Sequence, residues 1–413
     1  MLVICGSRIR KNSGLAQFGV ELPEFLRIRL QIDAVASRLK CYGNFFLVFC
    51  VAWFWPACVS AAELGSQIKT LSSVGPRGAG NEQAARAWQQ LSQADVSALP
   101  PLLESLDRAN PLAANWIRGA IDTIAQRQLD RGQKLPAAEL EQFVRDAKHA
   151  ARARRLAFEW LVRADRTARQ RLIPTMLHDL SAELRHDAVA HFIARADAAE
   201  QEAAKRSLLK RSFAAAVDED QVNLLAGKLK QLGETVDLAR HYGFLMRWHL
   251  VGPFDNTGKK GFDIAYPPET KLDPATKYEG KLKGKPVRWI EHVTSHDHGK
   301  VDLNKVLGKH MGAIAYCLSR FQSDRRQSVE FRTSSHNAIK LWLNGKLIDQ
   351  RQVYHSGGEM DQYVSRGVMR KGPNTVLLKV CQNEQTLLWA QMWEFQLRVC
   401  DPAGAAILSI DRP

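Results

Sequence analysis

One loop contains most of the side chains that suggest ligand binding. Tyr354, His355, Asp361 and Tyr363 lie in the segment YHSGGEMDQY, whose two glycines leave the backbone free to bend. The two tyrosine rings can stack on the apolar face of a sugar, while the polar side chains beside them can form hydrogen bonds with its hydroxyl groups. Trp389, which follows the polar segment QNEQ, belongs with this set. The pattern predicts a binding loop, with an ordinary loop between strands as the alternative.

Oxygen ligands for a metal ion occur earlier in the chain. Asp255, Asn256 and Asp263 provide the carboxylate and amide oxygens that Ca²⁺ prefers, although their spacing is not that of an EF-hand. No motif indicates a redox or nucleotide cofactor. A structural Ca²⁺ at these three residues is therefore the one cofactor that the sequence suggests.

Histidines and lysines form two further clusters in the same half of the chain. Three imidazoles could ligate zinc, but the HExxH motif is absent, and we interpret these histidines as loop side chains in solvent: His292, His296 and His298. A basic run could attract sulfate or uronate groups, or could belong to a flexible turn: Lys281, Lys283, Lys285 and Arg288.

Motifs for covalent catalysis are missing from this sequence. It has neither a G-x-S-x-G elbow nor a phosphate-binding P-loop. Glycoside hydrolysis needs two carboxylates at a defined separation, and no pair of acids is singled out by its context. We therefore expect a protein that is not an enzyme, with an unrecognised polysaccharide hydrolase as the alternative.

An apolar segment, Phe45–Val59, predicts export. It has no charged residue, follows the basic Arg38 and Lys40, and precedes a run of small residues. It is shorter than the roughly 20 residues that span a membrane, which favours a signal peptide cleaved near Ala61–Ala62 over an uncleaved membrane anchor. We expect a secreted, periplasmic or cell-envelope protein, and a translation start nearer Arg38.

The chain carries a large excess of positive charge, formally +15 over 413 residues. Its length predicts two or three domains. The charge favours an anionic partner such as an acidic glycan, with a solvated basic surface as the alternative. Because export takes the protein away from nucleic acid, we expect no nucleic-acid partner.

Three cysteines follow the apolar segment: Cys317, Cys381 and Cys400. They include no C-x-x-C pair, which excludes a zinc knuckle. Cys381 and Cys400 fall on consecutive predicted strands, so a disulfide bond between them and two buried free thiols both stay open.

Residues 63–240 are rich in Ala, Leu, Arg, Gln and Glu at helical spacing. Paired helical segments recur about every 33–40 residues, the length of a helical hairpin repeat. Asp218 is expected to help cap the helix that follows it. One block, with proline in its first helix, Asp179 at the turn and Arg185 opening the second helix, resembles a HEAT-type repeat. That resemblance implies a stacked array that presents a surface to a protein partner.

Residues 243–413 instead alternate apolar and polar side chains in short runs between turn signals. The stretch Gln327–Gln350 reads as two strands and a hairpin, because Asn344-Gly345 suits a turn in which both residues have positive φ. Such a pattern predicts an antiparallel β-sandwich or jelly roll. Trp342 and Trp393 are expected to pack in its core or on the face of a sheet, as Trp389 also could.

Three segments of this region, WHLVGPF, LWLNGK and KGPNTVLLKV, resemble the galactose-binding-like jelly rolls attached to secreted bacterial glycosidases. The likeness covers about residues 243–402, and its motifs belong to the scaffold of that fold. Many domains of this kind bind sugars, whereas others brace a neighbouring domain. The whole layout is similar to a family of secreted bacterial proteins in which helical repeats precede such a domain.

Together these patterns predict an N-terminal extension with a signal peptide (1–62), a helical HEAT-like array (63–240) and a galactose-binding-like β-sandwich (243–413). We interpret the chain as a non-catalytic binding protein, whose sandwich contacts a glycan or the cell envelope and whose helices contact a protein. A protein–protein scaffold that binds no sugar is the alternative. A membrane would be contacted only through an uncleaved signal anchor.

Overall fold

The computed structural model describes residues 61–412, and these combine an N-terminal helical part with a C-terminal antiparallel β-sandwich. The predicted α plus β fold is thereby confirmed. The described residues belong to one compact unit, so the division of the chain near residues 240–243 stays an interpretation. The predicted signal segment lies outside the described residues. Between residues 61 and 412, no helix is both long and apolar enough to span a bilayer.

Eleven helices build the helical part as far as residue 242 of the described chain. In chain order, they are α1 (Ala61–Ser72), α2 (Asn81–Leu91), α3 (Leu99–Ser105), α4 (Pro111–Asp130), α5 (Ala137–Arg145), α6 (Ala151–Ala164), α7 (Ala168–Leu172), α8 (Ala182–Asp197), α9 (Glu202–Ala215), α10 (Glu219–Gln231) and α11 (Leu238–Tyr242).

Polar side chains cap some of these helices at their N-termini. Asn110 caps α4, and its side-chain oxygen accepts hydrogen bonds from the first-turn amides while Pro111 supplies the fixed φ of the first position. Ser181 caps α8 in the same way. Asp179 lies at the turn of the HEAT-like block as predicted, and its carboxylate accepts hydrogen bonds from Arg154 of α6, the preceding long helix. The arginine–aspartate contact therefore links two successive helix pairs.

Twelve strands and two short helices follow in the rest of the described chain. The strands are β1 (Arg247–Asp255), β2 (Lys277–Glu279), β3 (Pro286–Arg288), β4 (Ile290–Val293), β5 (Val301–Asp302), β6 (Ala313–Ser323), β7 (Gln327–Ser335), β8 (Ala338–Leu343), β9 (Lys346–Arg351), β10 (Tyr363–Met369), β11 (Gly372–Gln382) and β12 (Glu394–Cys400). The helices are α12 (Pro267–Thr270) and α13 (Leu303–Leu307).

Two antiparallel sheets pack face to face. The large sheet has the order β4-β1-β6-β11-β8-β9 and the small sheet the order β10-β7-β12-β5. Apolar side chains of both sheets, among them Trp248, Leu341, Phe331 and Leu397, form the core between them. A separate apolar cluster lies on the outer face of the large sheet, where residues 256–289 cover it. We call this segment the outer cover.

The predicted hairpin is confirmed, but the strand before it belongs to the other sheet. Asn344 and Gly345 have φ of 53° and 80° and join β8 to β9. β7 pairs with β10 and β12 in the small sheet instead. The stretch Gln327–Gln350 therefore contains three strands, because the chain crosses between the two sheets at His336 and Asn337.

Candidate functional site

The predicted binding residues lie at one end of the sandwich, which we call the loop end. There β1 ends at Asp255 and β11 at Gln382, and both are paired with Ala313 at the start of β6. The loops at this end comprise residues 256–262, 308–312, 336–337, 352–362 and 383–393. The antiparallel register therefore brings the 354–363 loop and Trp389 to the same edge.

The 354–363 loop is closed down on the sandwich by its own hydrogen bonds. The amide of His355 donates to the carbonyl of His336 at 2.7 Å, and the His336 ring bonds the carbonyl of Ser356 at 2.7 Å. Gln362 bridges the two arms, since its amide nitrogen donates to Ser356 Oγ while its oxygen accepts from the amide of Ser335. The loop does not form an open cleft between two tyrosines.

Tyr354 is half-buried and faces the first loop of the outer cover. Asn256 Nδ2 donates to its hydroxyl at 3.3 Å, and Lys259 Nζ lies 5.0 Å from its ring centre. Burial raises the pKa of Tyr354 to about 12, so the phenol is neutral at neutral pH. Lys259 adopts the left-handed backbone region with φ of 62°, directly after Gly258, whose amide donates to the carboxylate of Glu384. These contacts fix an exposed ammonium group beside an aromatic ring.

Trp389 is the exposed ring at this end. It lies in the short 3₁₀ turn Leu388–Ala390 and is 62% exposed, whereas Trp342 and Trp393 are buried as expected. The ring of His355 meets it edge to face, with 5.7 Å between centroids, and Tyr354 is 6.5 Å from His355 on the other side. Tyr354, His355 and Trp389 therefore form a row of three rings, which we call the aromatic row.

Asp361 and Tyr363 do not face the aromatic row. Asp361 has φ of 62°, and its carboxylate accepts hydrogen bonds from two arginines of the small sheet. The donors are Arg398 Nε at 2.6 Å and Arg332 Nη1 at 2.8 Å. Burial acts to raise the pKa of Asp361, but the hydrogen bonds and charges of these arginines hold it below its usual value. Tyr363 starts β10, and its ring packs under Arg351 at 5.3 Å. The structure thus separates these two residues from Tyr354, His355 and Trp389.

The three residues considered for Ca²⁺ each have a protein partner. Asp255 accepts from Thr257 Oγ1 at 2.6 Å, and Lys281 Nζ lies 3.5 Å from the same oxygen. Asn256 is fully buried and donates to the carbonyl of Gln382, while its own side-chain oxygen has no partner within the described chain. Asp263 is exposed and lies 3.5 Å from Lys340. Among residues 61–412, no group of three or more His, Cys, Asp or Glu could hold a metal ion. The Ca²⁺ site stays a prediction.

Lys281 is not part of an open basic patch. Its ammonium donates to the carbonyls of Met311 and Gly312 at 2.6 Å each, so it fills the space next to Asp255 that a cation would need. The other members of the basic run, Lys283, Lys285 and Arg288, are exposed. The run is therefore split between a structural lysine and solvated side chains.

The histidine cluster is split in a similar way. His292 lies on β4 and His296 in the loop after it. The half-buried His298 packs against Tyr242, the last residue of the helical part, and against Phe244 just after it, with ring centroids 5.7 Å and 6.1 Å away. His298 is thus a packing residue rather than a solvated one, because its loop runs over the end of α11.

All three cysteines of the described chain are buried free thiols, so no disulfide joins Cys381 to Cys400. Cys381 belongs to the apolar cluster on the outer face of the large sheet, whereas Cys400 ends β12 in the small sheet. Burial raises the pKa of Cys381 to about 12 and that of Cys400 to about 11. Both are therefore poor nucleophiles at neutral pH.

Two buried basic residues were not anticipated from the sequence. Lys379 lies on β11, is fully buried, and donates to Glu269 Oε1 at 2.8 Å and to the carbonyls of Phe262 and Ile264. Arg398 lies on β12 and bonds Asp361. The sequence signal for each was a single basic residue within an apolar strand. It could not identify the acidic partner, because Glu269 and Asp361 lie far away in sequence.

No protein-family model matches the chain, and no curated protein matches it in sequence. Solved structures resemble parts of it. A β-glucosidase from Kluyveromyces marxianus in complex with glucose is 13% identical over 37% of this chain and 16% of its own, with a TM-score of 0.22. An anti-sigma factor domain-containing protein from Clostridium clariflavum is 11% identical over 41% and 49%, with a TM-score of 0.22.

A family 35 carbohydrate-binding module from Clostridium thermocellum is 11% identical over 32% of this chain and 85% of its own, with a TM-score of 0.16. The chain spans half or less of the first structures that it matches, with 16% of the β-glucosidase and 49% of the anti-sigma factor protein. The matches thus include a carbohydrate-binding module and a glycosidase at low coverage. They do not assign the chain to a family.

Proposed function

We propose that this chain is a non-catalytic binding protein whose sandwich holds a glycan at the loop end. The observation that carries the proposal is the indole of Trp389, which is 62% exposed at the edge of a rigid sandwich and held in place by His355. An exposed, immobilised ring is what stacking on a pyranose face requires. The helical part would contact a protein, and the molecule would act outside the cytoplasm.

Groups beside the aromatic row suit the polar side of a sugar. Lys259 is exposed next to Tyr354 and has no ion-pair partner within the described chain, so its ammonium is free to donate to a hydroxyl or a carboxylate. Stacking on Trp389 would supply most of the affinity, while this donor would select the ligand.

The test is binding of the mature protein to a panel of immobilised polysaccharides, with Trp389→Ala compared with Leu388→Ala. Leu388 is the neighbouring residue and is 86% exposed, so both variants remove apolar surface from the same turn. Only tryptophan can stack on a sugar. We expect at least about a tenfold loss of affinity for Trp389→Ala and little change for Leu388→Ala. Binding to no polysaccharide would overturn the proposal.

A protein–protein scaffold is the second candidate, and the composition of this turn favours it. Leu387, Leu388 and Trp389 are consecutive and all exposed, which is apolar surface that a sugar does not need. If the loop end docks on a protein, Leu388→Ala should weaken that contact as much as Trp389→Ala. Release of soluble sugar from any polysaccharide by the wild-type protein would instead support the third alternative, a hydrolase.

A further inference from the structure

Three turns meet at the end of the sandwich opposite the loop end, which we call the turn end. They join β6 to β7, β8 to β9 and β10 to β11, and comprise residues 324–326, 344–346 and 370–371. The first and third lie side by side, because Gly372 is paired with Ser323. The second is adjacent, since the amide of Asn344 donates to the carbonyl of Thr375 at 2.9 Å. The strand register therefore gathers the three turns at one edge of the molecule.

Basic side chains dominate the turn end. Only one residue of the three turns is acidic, Asp324. The exposed basic residues have no ion-pair partner within the described chain: Arg325, Arg326, Lys346, Arg370 and Lys371. The arginines of α6 differ, because Arg154 pairs with Asp179 and Arg155 with Asp187. The positive charge of the turn end is thus free to act on a partner.

A buried asparagine holds two of these turns together. Asn374 is 1% exposed, and its side-chain oxygen accepts from the amide of Arg370 at 3.1 Å and from Asn344 Nδ2 at 2.9 Å. Its nitrogen donates to the carbonyls of Arg370 and Gly372 at 2.9 Å and 3.0 Å. The charges are therefore presented from a fixed backbone, so that binding a partner orders side chains alone, which lowers the entropic cost.

Exposed aliphatic side chains border the basic turns. Leu347 directly follows the second turn and Val368 lies two residues before the third, and they are 41% and 48% exposed. Ile410 is 66% exposed, and its amide donates to the carbonyl of Gln322 near the end of β6. Among residues 61–412, no exposed aromatic ring lies at this end for a sugar to stack on. Unpaired cations beside aliphatic groups suit a surface that is negative outside and apolar beneath.

We propose that the turn end binds the surface of a lipid bilayer that contains anionic phospholipids. The basic side chains would contact the headgroup phosphates, while Leu347, Val368 and Ile410 would reach the layer just below them. The sequence predicts a membrane contact only through a signal anchor, whereas this contact belongs to the folded sandwich. Because β11 is 11 residues long, the loop end would stand roughly 33 Å from the bilayer. The proposal does not rest on glycan binding by Trp389.

Flotation of the mature protein with lipid vesicles tests this contact. Vesicles with equal parts of phosphatidylcholine and phosphatidylglycerol should carry the protein, phosphatidylcholine alone should not, and high salt should release most of it. Equal binding to both kinds of vesicle, or binding to neither, would overturn the proposal. Polygalacturonate, which is anionic but has no apolar layer, serves as the competitor. If it displaces the protein at a matched concentration of negative charge, the partner is an acidic polysaccharide and the proposal is wrong.

The matched charge variants are Arg325→Gln with Arg326→Gln, and Lys283→Gln with Lys285→Gln as control. Both pairs are exposed and lack ion-pair partners among the described residues, but the lysines lie in the outer cover, between β2 and β3. We expect the arginine pair to lose roughly tenfold in affinity for the anionic vesicles and the lysine pair to lose little. Equal losses, or no loss in the arginine pair, would contradict a contact at the turn end.

Val368→Thr and Val353→Thr test the apolar part of the contact. The two valines are 48% and 45% exposed, and Val353 lies in a loop of the loop end. We expect about a threefold loss of vesicle affinity for Val368→Thr and none for Val353→Thr. Full affinity in Val368→Thr would leave attraction between charges alone and rule out insertion. Trp389→Ala should bind vesicles as wild type does, and a loss there would move the contact to the loop end and overturn the proposal.

Discussion

The two outer faces of the sandwich are covered in different ways. The large sheet is covered by the outer cover, residues 256–289 of the same half of the chain, and the small sheet by the helical part. A buried basic residue on a central strand anchors each cover. Lys379 of β11 holds the first, while Arg398 of β12 bonds the carbonyl of Tyr242 at the end of the helical part.

The two anchors differ in how completely the buried polar groups around them are hydrogen-bonded. Lys379 uses its three donors on Glu269, Phe262 and Ile264. On the helical side of the seam between the two parts, by contrast, Arg185, Gln221 and Tyr242 keep unpaired side-chain atoms. Among the described residues of the outer cover, Asn256 Oδ1 is such an atom. The seam is therefore the less completely hydrogen-bonded of the two covers.

Breaking the anchor of the large sheet should have the largest effect. Lys379→Met removes the cation that pairs with the largely buried carboxylate of Glu269. The hydroxyl of Tyr316 would still donate a hydrogen bond to that carboxylate, but its negative charge would be uncompensated. We expect a loss of roughly 3–5 kcal/mol in the free energy of unfolding, measured by urea titration.

The matched control is the double variant Lys379→Met with Glu269→Gln, which removes both charges. Because replacing a whole buried pair costs less than removing one partner, the double variant should recover part of the stability. A double variant less stable than Lys379→Met would show that the ammonium acts mainly through the carbonyls of Phe262 and Ile264.

Asp361→Asn tests the anchor of the small sheet. It removes the negative charge shared by Arg398 and Arg332, and we expect a loss of about 2–4 kcal/mol. Asp263→Asn, at an exposed carboxylate, should cost less than about 0.5 kcal/mol. If Asp361→Asn kept full stability but lost ligand binding, Asp361 would be a binding residue after all.

Local rules explain which features of the fold were predictable. Asn344-Gly345 needs positive φ at two adjacent positions, and that requirement alone identifies the turn. The sheet to which β7 belongs depends instead on β10 and β12, which come later in the chain. Sequence alternation shows that a strand has two faces, but not which strand lies beside it.

The same limit applies to the candidate site. Trp389 and His355 were predicted and do meet, but Asp361, six residues after His355, points to the opposite side of its loop. Its direction follows from one backbone angle, φ of 62°, and from a buried arginine 37 residues away. Lys379 and Glu269 are 110 residues apart. Such pairs are set by tertiary packing and leave no local pattern.

A histidine makes the seam sensitive to pH. His241 packs against Phe213 and bonds the carbonyl of Ala216, and burial, followed by the charge of Arg398, lowers its pKa below 6.5. Below pH 6.5 the unfolded state therefore binds a proton that the folded state does not. Stability should fall with decreasing pH by up to about 1.4 kcal/mol per unit from this group.

Thermal unfolding of wild type and His241→Gln between pH 7.5 and 5 measures this contribution. Glutamine can still donate to the carbonyl of Ala216, so the variant should lose part of the pH dependence while keeping the fold. His178→Gln, at an exposed site, should behave as wild type. An identical pH profile for all three proteins would mean that the pKa of His241 is the same in the folded and unfolded states, contrary to the expectation.

The smallest effect is expected at a residue that looks like an anchor and is not. Arg185 is the fourth residue of α8 and is 6% exposed, yet its side chain makes no hydrogen bond or ion pair within the described chain. Arg185→Met should change the free energy of unfolding by less than about 1 kcal/mol, or raise it, because it removes an uncompensated buried charge. Urea titration gives the value.

Arg154 provides the contrast, since it is the fourth residue of α6 and bonds both oxygens of Asp179, at 2.7 Å and 2.6 Å. Arg154→Met should cost roughly 3 kcal/mol because it leaves Asp179 unpaired. A loss of similar size in Arg185→Met would mean that its guanidinium reaches Asp401 through a bridging water. In that case the guanidinium of Arg185 would be as fully hydrogen-bonded as the ammonium group of Lys379.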